Sequence, residues 1–475
     1  MLIIAYSRDP LFLERLPFRI DLDPELVEMD KLLDDQKLIL AATNDLLKSA
    51  PQAGWNGRPC TPVVVTLRGG VARRLMDWSY RTLEKEVKGN VVWRWFCRID
   101  GHDVPDHTTW RDREALLRPA TLHRLNDRLV HLAQEKHITR GRKLRMDSTV
   151  IETDIHYPTD SRLLSDSVEV LGRLLSRARE MCRPRSLSAK LVFRNSVRSA
   201  KRLTYRISHR LRPRDGQKKP EKLAEPLYRQ LVKLTRTTVE HADQVAVQLR
   251  HLGSPSALAL AESLHHYTEL VTRVIDQTVR RVFEHENVPA EEKIVSLFET
   301  HTAIIRRGKP APHETEFGRK VWFSEADGGI ISEYRLLKGN PPDEQHFKSS
   351  LKQHLKLFGH PPGIVTGDRG VSSANNEQAA HQAGIEKTAL PKRGAKDAER
   401  QAYEAQPWFK AALHFRAGIE GRISGLKRAR GLDRCRNKGE SGMERWLGWG
   451  VIANNLAVIA AKLVRRRRSA RITTT

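Results

Sequence analysis

The chain has 475 residues, 39% of them hydrophobic, and carries 83 Lys and Arg against 57 Asp and Glu, a formal net charge of +26. The length exceeds one ordinary domain, and the apolar share argues against wholesale disorder. So large a positive excess points to a polyanionic partner, with nucleic acid ahead of a membrane.

Residues 1–140 are expected to be a mostly helical N-terminal domain. An amphipathic stretch starts at Thr66-Leu67-Arg68-Gly69-Gly70-Val71, and Trp93, Trp95 and Trp110 follow it. Asp106-His107-Thr108-Thr109 can open a helix, since Asp or Thr caps its free amides. Two readings of this domain stay open: recognition of a DNA end, or a helical support with a tryptophan core. Residues 143–155 alternate as a strand does, with Leu144, Met146, Ser148 and Val150 on one side and Asp147, Thr149 and Ile151 on the other. Asp147 thus falls in the middle of a strand, where an acid needs a partner or a metal.

Residues 161–288 carry long helical patterns. Lys190, Arg194, Arg198, Arg202, Arg206 and Arg210 recur every fourth residue, and the window from Arg183 to Lys222 holds fourteen Lys and Arg against Asp215 and Glu221. On a helix this makes a cationic ridge drifting about 40° per step, suited to phosphate contacts. Strand signals return at 293–298 and 302–305. Two strand-like runs, 319–326 and 330–336, flank Asp327-Gly328-Gly329 as a hairpin. A helix over 344–358, a strand ending in Gly367-Asp368-Arg369-Gly370, a helix near 374–383 and a strand at 387–390 are expected next. A basic loop, Lys392-Arg393-Gly394-Ala395-Lys396, leads to a further helix.

On that last helix, at about 100° per residue, Arg416, Glu420 and Lys427 fall within roughly 40° of one another. One acid is flanked by two permanent cations, a pattern suited to a metal-binding carboxylate beside phosphate-binding neighbours. The segment 447–464 is apolar but holds Asn454, Asn455 and Lys462, and is expected to be a buried helix, not a membrane span. Arg465-Arg466-Arg467-Arg468 follows it as a disordered tail that adds DNA affinity. The first six residues are too short for a signal-peptide core, and Cys60, Cys97, Cys182 and Cys435 form no CxxC pair. Both features fit a reducing cytoplasm.

The three acids in these settings suit metal-assisted phosphodiester chemistry. Two Mg²⁺ ions about 3.5–4 Å apart can activate the attacking oxygen and stabilise the leaving one. The motifs that could supply them are Met146-Asp147-Ser148-Thr149-Val150, Gly367-Asp368-Arg369-Gly370 and Ala417-Gly418-Ile419-Glu420-Gly421-Arg422. In these stretches, and in Thr315-Glu316-Phe317-Gly318-Arg319, the chain resembles the DDE transposases of bacterial insertion sequences, most closely the ISNCY-type group. A third-acid signature of related families, Tyr-x2-Arg-x3-Glu-x6-Lys, is matched by Arg416, Glu420 and Lys427, with Leu413 in the Tyr position.

The resemblance implies an α/β, RNase H-like catalytic domain, interrupted after its first strand (141–160) by the basic helical insertion (161–288). The domain resumes over 289–464, before a basic tail (465–475). It implies a triad of Asp147, Asp368 and Glu420 holding two Mg²⁺ ions, with Mn²⁺ as a substitute. Arg369, Arg416 and Lys427 would grip phosphates. The implied partners are double-stranded DNA, as terminal inverted repeats and target, and further copies of the chain in a homodimer or larger synaptic assembly. Its place would be the bacterial cytoplasm, at the nucleoid. Two rivals remain: a DNA-binding protein without catalysis, and a metal-dependent nuclease that does not join strands.

Overall fold

A computed structural model of the chain describes residues 1–7, 11–17, 19–49, 60–182, 195–212, 220–306 and 315–472. It divides into two units, Met1–Glu152 with Arg319–Thr475, and Thr153–Gly318. The described N-terminal helices are α1 (Pro24–Leu32), α2 (Gln36–Ser49), α3 (Val63–Leu75), α4 (Tyr80–Gly89), α5 (Val91–Phe96), α6 (His107–Leu116) and α7 (Pro119–Glu135). Strand β1 (Lys143–Thr153) precedes α8 (Asp160–Cys182), α9 (Val197–Arg210), α10 (Pro220–Leu252), α11 (Pro255–Val282) and β2 (Ala303–Arg306). The hairpin β3 (Thr315–Ala326) and β4 (Ile330–Leu336) leads to α12 (Phe347–Phe358), β5 (Ile364–Thr366), α13 (Ala374–Gln382) and β6 (Lys387–Ala389). Last come α14 (Ala398–Ala405), α15 (Pro407–Ala429), β7 (Arg434–Cys435) and α16 (Gly439–Ile472). The chain is therefore mixed α/β, with a mostly helical N-terminal part and a mixed sheet.

Polar side chains start the N-terminal helices by accepting from otherwise free amides: Asp23 for α1, Ser79 for α4, Asn90 for α5 and Asp106 for α6. The segment expected to be amphipathic departs from that reading, because every residue of α3 is buried. Its arginines find their partners inside. Arg68 pairs with Asp30 and Asp34, each at 2.6 Å, and Arg73 with Glu114 at 2.6 Å. Arg74 donates to the Arg430 carbonyl and lies 3.7 Å from the Trp446 ring centre. Trp110 is part of this core, with Trp93 and Trp95 packed against it.

In the same unit the strands run β4, β3, β1, β5, β6, with β7 on β1. β1 and β5 are parallel, with Lys143, Leu144 and Arg145 opposite Ile364, Val365 and Thr366. Strand alternation sends Leu144 and Met146 into a core with Trp322 and Phe347, while Ile151 enters another with Ile419 and Trp446. The sheet is thus covered on both faces.

α16 is long and apolar enough to cross a membrane by length and composition, yet its most apolar window is 72% buried within the protein. Its Asn455 serves a core purpose: Oδ1 accepts from the Ile331 amide at 3.0 Å and Nδ2 donates to the Ile331 carbonyl at 2.9 Å. The expected disordered tail is corrected as well, since Arg465–Arg468 continue α16. Arg466 donates to the Lys136 and His137 carbonyls and Arg467 to Glu28, contacts that add to arginine's helix propensity.

In the other unit, α8–α11 enclose their own apolar core. The strand expected at 293–298 is absent. Ile294 and Leu297 enter the helical core, and Gln277 occupies the Ile294 backbone by accepting from its amide at 2.8 Å and donating to its carbonyl at 3.1 Å. A side-chain amide has taken the place of a strand neighbour.

Candidate active site

Asp147 lies on β1 with its side chain 12% exposed, and Glu420 on α15 with its side chain 63% exposed. One guanidinium joins them. Arg416 places one terminal nitrogen 3.0 Å from Asp147 Oδ2 and the other 2.9 Å from Glu420 Oε1. The Arg416–Glu420 contact follows from their four-residue spacing along the helix; the link to Asp147 is tertiary. The second oxygen of Asp147, Oδ1, accepts from the Ser148 amide at 2.8 Å.

A pair that the sequence analysis did not single out aligns the strand with the helix. Arg145, two residues before Asp147 and on the same side of β1, binds Glu325 of β3 through two nitrogens at 3.1 and 2.7 Å. It also donates to the Phe415 carbonyl of α15 and lies 4.6 Å from the Phe415 ring centre. Gly418 makes this approach possible, because a side chain there would collide with the Arg145 guanidinium. The signal was present in the sequence as a buried-strand arginine and a helical glycine, but the two are far apart along it.

Asp368 lies just past β5. The last paired residues of the two parallel strands are Arg145 and Thr366. Asp147 and Asp368 each stand two residues beyond them, Asp147 still within β1 and Asp368 in the turn that follows β5. Asp368 Oδ1 accepts from the Val371 amide at 3.1 Å. Asp343, absent from the expectations, approaches the same turn: a methyl group at Gly370 would meet Asp368 Oδ1 at 2.9 Å and Asp343 Oδ2 at 3.4 Å.

The expected phosphate-binding cations are distributed unevenly. Arg369 is exposed beside Asp368, and its carbonyl accepts from Arg393 Nε at 2.5 Å. The basic loop that carries Arg393 is pinned by Glu404. Burial works to raise that carboxyl, but bonds from Lys396, the Lys392 amide and Arg400 outweigh it and hold it at about 2. Lys427 is apart from the Arg416 bridge, 3.7 Å from Asp433. Arg198, Arg202, Arg206 and Arg210 are all exposed on α9, whose Ala200, Leu203 and Ile207 are buried. Lys190 and Arg194 lie outside the described residues.

Among the described residues, no group of three or more His, Cys, Asp or Glu is gathered closely enough to hold a metal ion. The cation present between Asp147 and Glu420 is a guanidinium. Their oxygens, and those of Asp368, are nevertheless the hard donors that Mg²⁺ and Mn²⁺ take.

Comparison with known proteins gives one family match. The family model described as Transposase domain (DUF772) matches residues 15–113, from the segment before α1 into α6. No curated protein and no solved structure matches the chain. The match lies wholly ahead of β1 and includes none of the candidate acids, but it supports a transposase family.

Proposed function

We propose that this chain is a DDE transposase with an RNase H-like catalytic domain, which cuts DNA at the ends of an insertion sequence and joins the freed 3′ end to target DNA. The observation that carries this reading is the Arg416 bridge, which ties an acid in a central strand to an acid on a helix more than 250 residues later. The parallel pairing of β1 with β5, which brings the turn carrying Asp368 beside the strand carrying Asp147, supports Asp368 as the third acid. The order of hairpin, helix, strand, helix, strand and helix after the insertion supports the RNase H-like fold, and the family match supports the transposase assignment.

All three side chains are carboxylates, the donor chemistry that a pair of Mg²⁺ ions takes, with Mn²⁺ as a substitute, and two of them already share a cation. Bound metal would lower the pKa of the attacking water or 3′-OH and stabilise the leaving oxygen. The protein's own groups act around that chemistry. Arg145 and Glu325 fix the strand against α15, so that Asp147 and Glu420 stay mutually aligned. Arg416 would exchange its carboxylates for a DNA phosphate, a trade its bidentate fork suits. Arg369 and Lys427 would add phosphate contacts near the cut, and the exposed α9 arginines would hold DNA backbone. In this reading the chain works in the bacterial cytoplasm, at the nucleoid, as a homodimer or larger synaptic assembly.

The test is nicking of a DNA fragment that carries the element's own end, under Mg²⁺ and Mn²⁺, with wild type beside Glu420→Gln. Wild type should nick at the end and the variant should not. Binding without cutting by wild type would favour a DNA-binding protein, and equal cutting by both would remove Glu420 from the triad. Pre-cut ends then separate a transposase, which joins them to target DNA, from a nuclease, which does not.

A further inference from the structure

Asp343 opens a short 3₁₀ turn ahead of α12 and has no part in the proposed triad. Two sets of contacts converge on it. In the first, the Ser148 amide donates to Asp147 Oδ1 at 2.8 Å while the Ser148 hydroxyl donates to Asp343 Oδ2 at 3.0 Å. In the second, Asp343 Oδ2 and Asp368 Oδ1 both crowd the position that a side chain at Gly370 would need. One carboxylate therefore bonds to the strand of the first acid and lies beside the turn of the second.

Its charge is balanced from the opposite side. Lys320 of β3 puts Nζ 2.9 Å from Asp343 Oδ1 and donates to the Pro341 carbonyl at 2.7 Å. The Lys320 and Asp343 side chains are 7% and 13% exposed, so water screens the pair little. Lys320 thus offsets the repulsion between the Asp343 carboxylate and the acids it lies beside.

We propose that Asp343 is a positioning residue for the carboxylate site, locking Asp147 through Ser148 and setting the Asp368 turn, with Lys320 as its permanent counter-ion. This rests on the metal-dependent function proposed above. Hydrogen bonds behind metal-binding groups typically change metal affinity by about 10–100-fold when lost.

The experiment uses the full chain and two variants, Asp343→Asn and the double variant Lys320→Met with Asp343→Leu. The double variant guards against misfolding, because replacing both members of a buried pair with apolar groups avoids a stranded charge. Mn²⁺ binding is read by paramagnetic resonance of the free ion, end-fragment binding in metal-free buffer, and folding by thermal melting. Both variants should bind Mn²⁺ about 10–100-fold more weakly than wild type while folded and while binding DNA as wild type does. Wild-type Mn²⁺ affinity in the folded double variant would overturn the role of Asp343 and leave the triad standing. If wild type itself binds no Mn²⁺, the metal-dependent function falls and this inference falls with it.

Discussion

Arg73 and Arg416 make the same chemical contact, guanidinium to carboxylate, to opposite ends. Arg73 gives Nε and one terminal nitrogen to a single partner, Glu114, at 3.1 and 2.6 Å, with side chains 2% and 4% exposed. The Tyr80 ring closes over it at 4.3 Å, and burial, then Glu114, push the Tyr80 phenol far up. Burial alone would lower the Arg73 guanidinium, but Glu114 outweighs it and leaves it raised. Arg416 instead divides its fork between two acids on different elements, one of them largely in water. A closed pair of this kind holds a scaffold, whereas a shared and open cation can be exchanged for another ligand.

The contrast is broken most directly at Glu114. Glu114→Gln leaves Arg73 charged, buried and without its counter-ion, so unfolding free energy by denaturant titration should fall by roughly 3–5 kcal/mol. Arg416→Gln should cost clearly less than Glu114→Gln, since Arg416 is itself partly exposed and its Glu420 partner lies largely in water, while end nicking is lost. If both substitutions cost the same stability, the two arginines are equivalent and the distinction fails.

The scaffold also hides a histidine. His354 of α12 is 1% exposed, stacks on Phe358 and donates from Nε2 to the Gly141 carbonyl at 3.0 Å. Burial, with a smaller opposing effect from that carbonyl, pushes it down from 6.5 to about 4. The folded form therefore resists a proton that the unfolded chain accepts. Its contribution is full above pH 6.5 and is lost as pH falls toward 4, at about 1.4 kcal/mol per pH unit and roughly 3 kcal/mol in total. His354→Gln keeps a donor for Gly141 and should flatten stability over that window. An unchanged pH profile would place the acid sensitivity elsewhere.

These contrasts also mark what the sequence could reveal. The hairpin was legible because Asp327-Gly328-Gly329 separates two strand-like runs, and Gly328 and Gly329 do take positive φ. The Arg416–Glu420 contact was legible because helical spacing is local. Interactions between distant segments were not. Nothing near Arg68 or Arg73 announces Asp30 or Glu114, so α3 looked amphipathic. Asp343 meets Ser148 across 195 residues. The segment at 293–298 has a strand's composition, but its backbone partner is the Gln277 side chain, as Asn455 is for Ile331. Composition reports a preference for burial, while the partner that satisfies the backbone is chosen by the fold.

The smallest effect on stability, and a separate test of open cations, belongs to α9. Leu203 and Ile207 anchor the helix, while Arg202 and Arg206 point away into solvent on the exposed side with Tyr205, whose relative exposure is 70%. Exposed arginines of this kind contribute little to folding, so Arg202→Gln with Arg206→Gln should leave the melting temperature unchanged. Their energy should appear only against a polyanion. Each phosphate neutralised adds about 0.9 to the slope of log affinity against log salt, so the double variant should lower that slope by up to about 1.8. Fluorescence anisotropy with labelled duplex DNA at several salt concentrations measures it. A parallel loss of affinity with an unchanged slope would mean that these side chains do not meet phosphates. A changed melting temperature would mean that α9 belongs with Arg73 among the closed contacts of the scaffold.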